Sequence, residues 1–216
     1  MPVAAQIPAP AAPGPYVIDV RGATSGIPVD AAFFPPAPAG TSLPARGFGV
    51  DVGAHVYPMD LGPARLGVGV RLLRVRGAAS PAAPVASSIV GSSTGAATPA
   101  IDAAVTVIAP ELSFNFGSAA GWSYLSAGVG RARVTSVSSA FGASGAGSTA
   151  IAPGDANSGM LRSVNIGGGA RWFTKARLGV SFDVRVHLIS AGSTEGTRPA
   201  TPRATVMAAS VGISVR

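Results

Sequence analysis

Few residues in this 216-residue chain could do bond-making chemistry. Cysteine is absent and the only imidazoles are His55 and His187, far apart and without an acidic cluster beside them, so the sequence offers no recognisable metal site. His187 and Ser190 are close enough in sequence to suggest a base and a nucleophile. Three residues apart in an extended segment, however, they fall on opposite faces, and no orienting carboxylate accompanies them. Gly167-Gly168-Gly169 is not followed by Lys-Ser/Thr and opens no helix, so it is not a phosphate loop. No catalytic, cofactor-binding or metal residue is assigned from the sequence. What remains is a set of acids and arginines placed at every second position of otherwise apolar segments. Groups of opposite sign arranged in that way can neutralise one another in a confined space.

The elements that would position them are strands. In 47–57, Phe48, Val50, Val52, Ala54 and Val56 share one face, while Gly49, Asp51, Gly53, His55 and Tyr57 share the other. Segment 65–76 sets Leu66, Val68, Val70 and Leu72 against Arg65, Gly67, Gly69 and Arg71. Segment 178–189 sets Leu178, Val180, Phe182, Val184, Val186 and Leu188 against Gly179, Ser181, Asp183, Arg185 and His187. A helix would not keep period two for eleven residues. Weaker versions occupy 16–21, 103–116, 122–134, 161–173 and 204–215, with Pro110 predicting a bulge or kink in its strand.

The connections alternate in length: 22–46 long, 58–64 short, 77–102 long, 117–121 short, 135–160 long, 174–177 short and 190–203 medium-long. Eight apolar-alternating strands with long and short connections in turn predict an all-β, eight-stranded antiparallel up-and-down transmembrane β-barrel. Composition agrees. Apolar residues are 47% and charged residues 12%, with a mean hydropathy of +0.42, yet no stretch is long enough for a transmembrane helix. A closed barrel is the other structure a bilayer tolerates. The net charge of +7 rests on fifteen arginines and one lysine. They are scattered and match no nucleic-acid-binding motif, so no nucleic-acid partner is expected.

The stretches PARGFGVDVGAHVYP, ARLGVGVRLLRVRG, PELSFNFG…GWSYLSAGVG and NIGGGARWF…RLGVSFDVRVHL resemble the small outer-membrane barrels of the OmpA/OmpX type. The resemblance covers roughly Tyr16 to Val215 and rests on texture, not on a catalytic signature. It implies a bacterial outer-membrane location in a Gram-negative cell, periplasmic termini, extracellular long loops and delivery by the barrel-insertion machinery. It also implies lipid and lipopolysaccharide as surroundings; the oligomeric state stays open, with a monomer favoured. One departure is the ending Ile213-Ser214-Val215-Arg216, where such barrels commonly carry an aromatic residue. Residues 1–15 are expected to form a disordered tail, with Val3-Ala4-Ala5 similar to the end of a signal-cleavage site. Residues 16–216 would form the barrel, and the Ala/Ser/Gly/Pro-rich stretches 77–100 and 135–160 mobile loops.

On this phase the inward polar residues are Asp19, Arg21, Asp51, His55, Arg65, Arg71, Glu111, Asn115, Asn165, Arg171, Asp183, Arg185 and His187. An eight-stranded interior is just wide enough for side chains, so they are expected to interlock as an ion-pair network and not to line an open pore. Six arginines, Arg46, Arg74, Arg76, Arg131, Arg133 and Arg162, fall on the outward phase at strand ends next to long loops. There, charge costs about 0–1 kcal/mol, against about 2–4 kcal/mol at mid-bilayer. They would either grip lipopolysaccharide phosphates or stand in water beyond the membrane. Of thirteen aromatic residues, eight lie at the N-terminal or short-turn ends of strands: Tyr16, Tyr57, Phe114, Phe116, Trp122, Tyr124, Trp172 and Phe173. They suggest an interfacial girdle. The function expected is structural or surface-interacting. The alternatives are a soluble β-barrel with an apolar ligand, a lipid A-modifying outer-membrane enzyme, or a narrow channel.

Overall fold

The computed structural model describes residues 14–36, 41–79, 100–138, 154–196 and 198–216. Most of the expected tail and the cores of the two low-complexity loops lie outside these. Among the described residues there are nine strands: β1 (Tyr16–Gly26), β2 (Arg46–Leu61), β3 (Ala64–Ala79), β4 (Ile101–Ser118), β5 (Gly121–Ser138), β6 (Gly154–Asn157), β7 (Leu161–Phe173), β8 (Leu178–Ile189) and β9 (Ala204–Val215). All pairings are antiparallel. Eight strands close into a barrel in the order β1-β2-β3-β4-β5-β7-β8-β9, with β9 returning to β1 through Ile18↔Val215 to Ser25↔Ala208. The short β6 adds to the far end of β5.

Period-two alternation turns directly into the two faces of this sheet. On the outside, Ile18, Val20, Val50, Val68, Val70, Leu72, Leu112, Phe114, Leu125, Val129, Ile166, Val180, Val184, Leu188, Val211 and Ile213 are all at least 40% exposed. No soluble barrel could tolerate so continuous an apolar exterior. On the inside lie four acids and four arginines, all buried. From Leu178 to Leu188, β8 presents only apolar residues outward. Ten steps of about 3.3 Å, tilted as barrel strands are, span roughly 25 Å, the height of a bilayer-facing band.

The short turns gather at one end. Between β2 and β3 only Gly62 and Pro63 intervene, and Gly62 takes φ 71°, a left-handed conformation that a side chain would strain. Strands β4 and β5 are joined by Ala119 and Ala120. Several strands run further than their sequence pattern indicates, because hydrogen-bonded pairing continues past the point where hydrophobic alternation fades. Strand β1 extends to Gly26, and β4 and β5 are 18 residues each.

Pro110 does not bulge its strand. Beside β3 it sits in register opposite Val70. Beside β5 the pairing lapses at Ala109 and Pro110 but resumes unchanged, from Ile108↔Arg131 to Glu111↔Gly128. The missing N–H therefore costs a local ladder contact and no slip. The irregularity that does occur is in β2, between Val56 and Met59, around Pro58.

Candidate functional site

Two sets of side chains could carry function: the charged groups inside and the arginines outside. The inner set begins where alternate residues of six strands point into one narrow space. Asp19 and Arg21 come from β1, Asp51 and His55 from β2, Arg71 from β3, Glu111 from β4, Asn165 and Arg171 from β7, and Asp183, Arg185 and His187 from β8; all are buried. Arg171 Nη2 reaches Asp19 at 2.6 Å, and Arg21 Nη2 pairs with the same carboxylate at 2.8 Å. Arg21 Nη1 lies 3.1 Å from Asp51. Arg71 is the hub, 2.7 Å from Asp51 and 3.1 Å from each of Glu111 and Asp183. Arg185 closes the ring, 3.0 Å from Glu111 and 3.2 Å from Asp183. His55 Nε2 stands 3.6 Å from Glu111.

Hydroxyls occupy further positions, while Asn165 Nδ2, Arg171 Nη1 and both ring nitrogens of His187 have no hydrogen-bond partner among the described residues. Tyr124 donates to Asp183 at 2.7 Å and accepts from Arg21 Nη2 at 3.2 Å. Ser210 donates to Asp51, and Ser181 accepts from Arg21 Nε. Arg185 donates to Asn165 and Ser126, while Ser214 donates to Asp19. The guanidinium of Arg171 also lies 4.1 Å from the Tyr124 ring centroid, a cation–π contact. Such a set stabilises a low-dielectric interior only when its members are mutually satisfied.

Arg65 is not a member. It is 19% exposed near the β2–β3 turn and pairs with Asp60. The reason is position along the strand, not phase: three steps past Gly62 it is still at the mouth. Its departure balances the interior, leaving Asp19, Asp51, Glu111 and Asp183 against Arg21, Arg71, Arg171 and Arg185. Asn115 is buried near the same mouth and donates to the Arg65 carbonyl and the Ser113 hydroxyl.

The aromatic residues divide in a way that phase alone foretells. Tyr16, Phe114, Phe116 and Trp172 are exposed on the outer face at the short-turn end, the girdle position. Tyr57, Trp122 and Tyr124 are instead buried inside. Tyr57 meets Trp122 edge-on at 6.1 Å, and Trp122 stacks on Phe173 at 4.8 Å. Together with Val17 they form an apolar floor beneath the ionic layer. Arg216 lies over Phe173 at 4.2 Å and donates to the Ala119 and Ala176 carbonyls in two different turns. Inward glycines make room for these rings: a Cβ on Gly69 would fall 2.3 Å from His55, and one on Gly67 2.9 Å from the Tyr57 ring.

Above the ionic layer the interior becomes apolar, which sequence reading missed. Ala23, Leu73, Val75, Ile101, Val105, Val107, Val134, Ile189 and Val206 pack together there. Phe33 and Phe34 close the top, carried by a single 3-10 turn (Ala31–Phe33) that Asp30 caps. Ser136 donates to the Phe33 carbonyl at 2.7 Å and ties this loop to β5. A signal was present, since Leu73, Val75, Val105 and Val107 occupy the phase of Arg71 and Glu111. Between these two apolar layers, the cavity bounded by Asp51, Arg71, Asp183, Arg185, His187 and Ser210 measures about 10 Å³, the space of one water. Apolar side chains flank the ionic layer on both sides.

All six outward arginines, Arg46, Arg74, Arg76, Arg131, Arg133 and Arg162, are exposed on the outer face towards the long-loop end. Cross-strand register groups them. Arg131 is directly opposite Arg162, while Thr106 lies between Arg74 and Arg133. Within the strands, the outward faces of β8, β9 and β1 carry no charge, and the exposed Arg203 stands immediately before β9 at the same end. The Ser190–His187 pair is not assembled: Ser190 is exposed, with its N–H donating to the Arg162 carbonyl, and His187 is buried in the lumen.

Inverted polarity, closure and alternating turns define a small transmembrane β-barrel. Comparison with solved structures agrees on the fold. The crystal structure of Neisserial surface protein A (NspA) matches with a TM-score of 0.51 at 12% identity, over 94% of this chain and 97% of that one. Ail, the attachment invasion locus protein of Yersinia pestis, aligns with a TM-score of 0.46 at 12% identity over 93% of this chain and 96% of its own. No protein-family model and no curated protein matches the sequence. The chain thus has the eight-stranded fold of small outer-membrane barrels, as its resemblance to them implies.

Proposed function

We propose that this protein is an integral outer-membrane barrel with a structural or surface-interaction role, non-conducting, and anchored in the outer leaflet by its arginine belt. The long loops would face the cell exterior and both termini the periplasm. The observation that carries this reading is the placement of all six outward-facing strand arginines at the long-loop end, immediately above the apolar band. A charge there costs little and meets lipopolysaccharide phosphates, which guanidinium groups bind bidentately. The filled lumen supports a role that does not depend on passage of solutes. Its ionic layer lies between an aromatic floor and an apolar roof, and water-filled channels need wider barrels.

The test replaces all six belt arginines with glutamine and measures lipopolysaccharide retained by the folded barrel after detergent extraction from cells. Heat-dependent gel mobility reports folding. A loss of most retained lipopolysaccharide with folding intact is expected, and unchanged retention overturns the belt's role. In planar bilayers the unaltered barrel is expected to give no stable conductance steps; regular steps would overturn the sealed-lumen part.

A further inference from the structure

Beneath one part of the belt, the lipid-facing surface is concave. A groove of about 700 Å³ crosses the outside of β3, β4, β5 and β7, lined by Val68, Leu112, Phe114, Leu125, Val129 and Ile166. Its floor follows from register. Ala127 lies between Leu112 and Ile166, so one small residue separates two large ones. One row up, Val129 faces Val164; the next row places Arg131 opposite Arg162. The groove therefore runs straight up to two adjacent guanidinium groups.

That arginine pair is costly by itself. Like charges directly opposite in an antiparallel pair sit about 4.5–5.5 Å apart at Cβ and repel. Among the described residues no carboxylate forms an ion pair with either one, and the hydrogen bond shown for the Arg131 side chain goes to the Met160 carbonyl. An anion seated between them would relieve the repulsion and receive charge-assisted hydrogen bonds from both. An anion joined to an apolar body is what the groove and the pair fit together.

We infer that Arg131, Arg162 and the groove below them form a discrete lipid A site. One phosphate would sit between the two guanidinium groups, and acyl chains would lie over Ala127. This rests on the belt reading above and narrows it to one place. The groove's breadth favours lipid A over a two-chain phospholipid. It crosses four strands, about 14 Å at 4.8 Å per strand, more than two parallel chains fill. Further arginines stand nearby, with Arg133 two residues beyond Arg131 on the same outward face and Arg74 across Thr106 from it, where a second phosphate would be met.

The experiment uses the full chain folded in detergent micelles, titrated with purified bis-phosphorylated lipid A and read by native mass spectrometry. Three variants are compared: Arg131→Gln with Arg162→Gln, Ala127→Trp to fill the groove, and Arg74→Gln with Arg76→Gln and Arg133→Gln. All these side chains are on the outer face, and gel mobility checks closure of each barrel. The site predicts at least a tenfold loss of affinity for the first variant, at least fivefold for Ala127→Trp, and a smaller loss than either for the third. If the two arginine variants lose affinity alike and Ala127→Trp loses none, the discrete site is overturned while the belt stands. If none of the three binds less, the belt falls with it. Displacement of bound lipid A by equimolar phosphatidylglycerol would overturn the choice of lipid.

Discussion

Replacing Arg71 with leucine tests whether the ionic layer is sealed. Arg71 neutralises Asp51, Glu111 and Asp183 at 2.7, 3.1 and 3.1 Å, and its side chain is 3% exposed. In Arg71→Leu four carboxylates would share three arginines, with no bulk water between the aromatic floor and the apolar roof. Removing one partner of a buried pair costs about 3–5 kcal/mol. With an unfolding slope of about 2 kcal/mol per molar urea, the midpoint falls by about 1.5–2.5 M. The assay is urea unfolding of the barrel in lipid vesicles, followed by tryptophan fluorescence. Adding Asp183→Asn to the same chain restores neutrality, so the double variant is expected to be more stable than Arg71→Leu alone, by about 0.5–3 kcal/mol of coupling. A loss below about 1 kcal/mol for Arg71→Leu, with no recovery in the double variant, would refute the reasoning. It would mean that water reaches the carboxylates and screens them as it does exposed pairs.

The outer face supplies a depth ruler: Val184→Arg, midway along the apolar face of β8, is expected to cost about 2–4 kcal/mol in vesicle unfolding, and Thr24→Arg, in the row of Arg76 but separated from it by Phe48, about 0–1 kcal/mol. Equal costs would show that the band is misplaced. Trp122→Ala removes the centre of the floor and is expected to cost about 3–5 kcal/mol, without opening conductance, because the roof beneath Phe33 still closes the other end. Ion flow in Trp122→Ala planar bilayers would show that the roof is not a seal.

How much of this was legible in the sequence varies along each strand. Mid-strand phase was readable because a pleated strand sends neighbours to opposite faces. The alternate residues Gly-Asp-Gly-His on β2 and Arg-Gly-Gly-Arg on β3 therefore had to share a side. Loop alternation gave strand number and closure for the same reason, since antiparallel neighbours put successive connections at opposite ends. Strand ends were harder. Arg65 has the inward phase of Arg71 yet stands at the mouth beside Asp60. Tyr57, Trp122 and Tyr124 have the end position of a girdle but the phase of the lumen, and phase decided.

By itself, the sequence determined an inside-out, eight-stranded barrel, the side on which each mid-strand residue lies, and the one-ended placement of the outward arginines. These follow from periodicity, which needs no knowledge of neighbours. Only the tertiary structure decided which charges meet, because Asp19 with Arg171 and Arg71 with Asp183 are joined by barrel closure across more than a hundred residues. It also decided the height of each layer. The stagger between strands sets an aromatic floor, a charge-balanced middle and an apolar roof, and it brings Arg131 opposite Arg162 above a groove. Height along a tilted barrel depends on every strand's register at once, and no single segment encodes it.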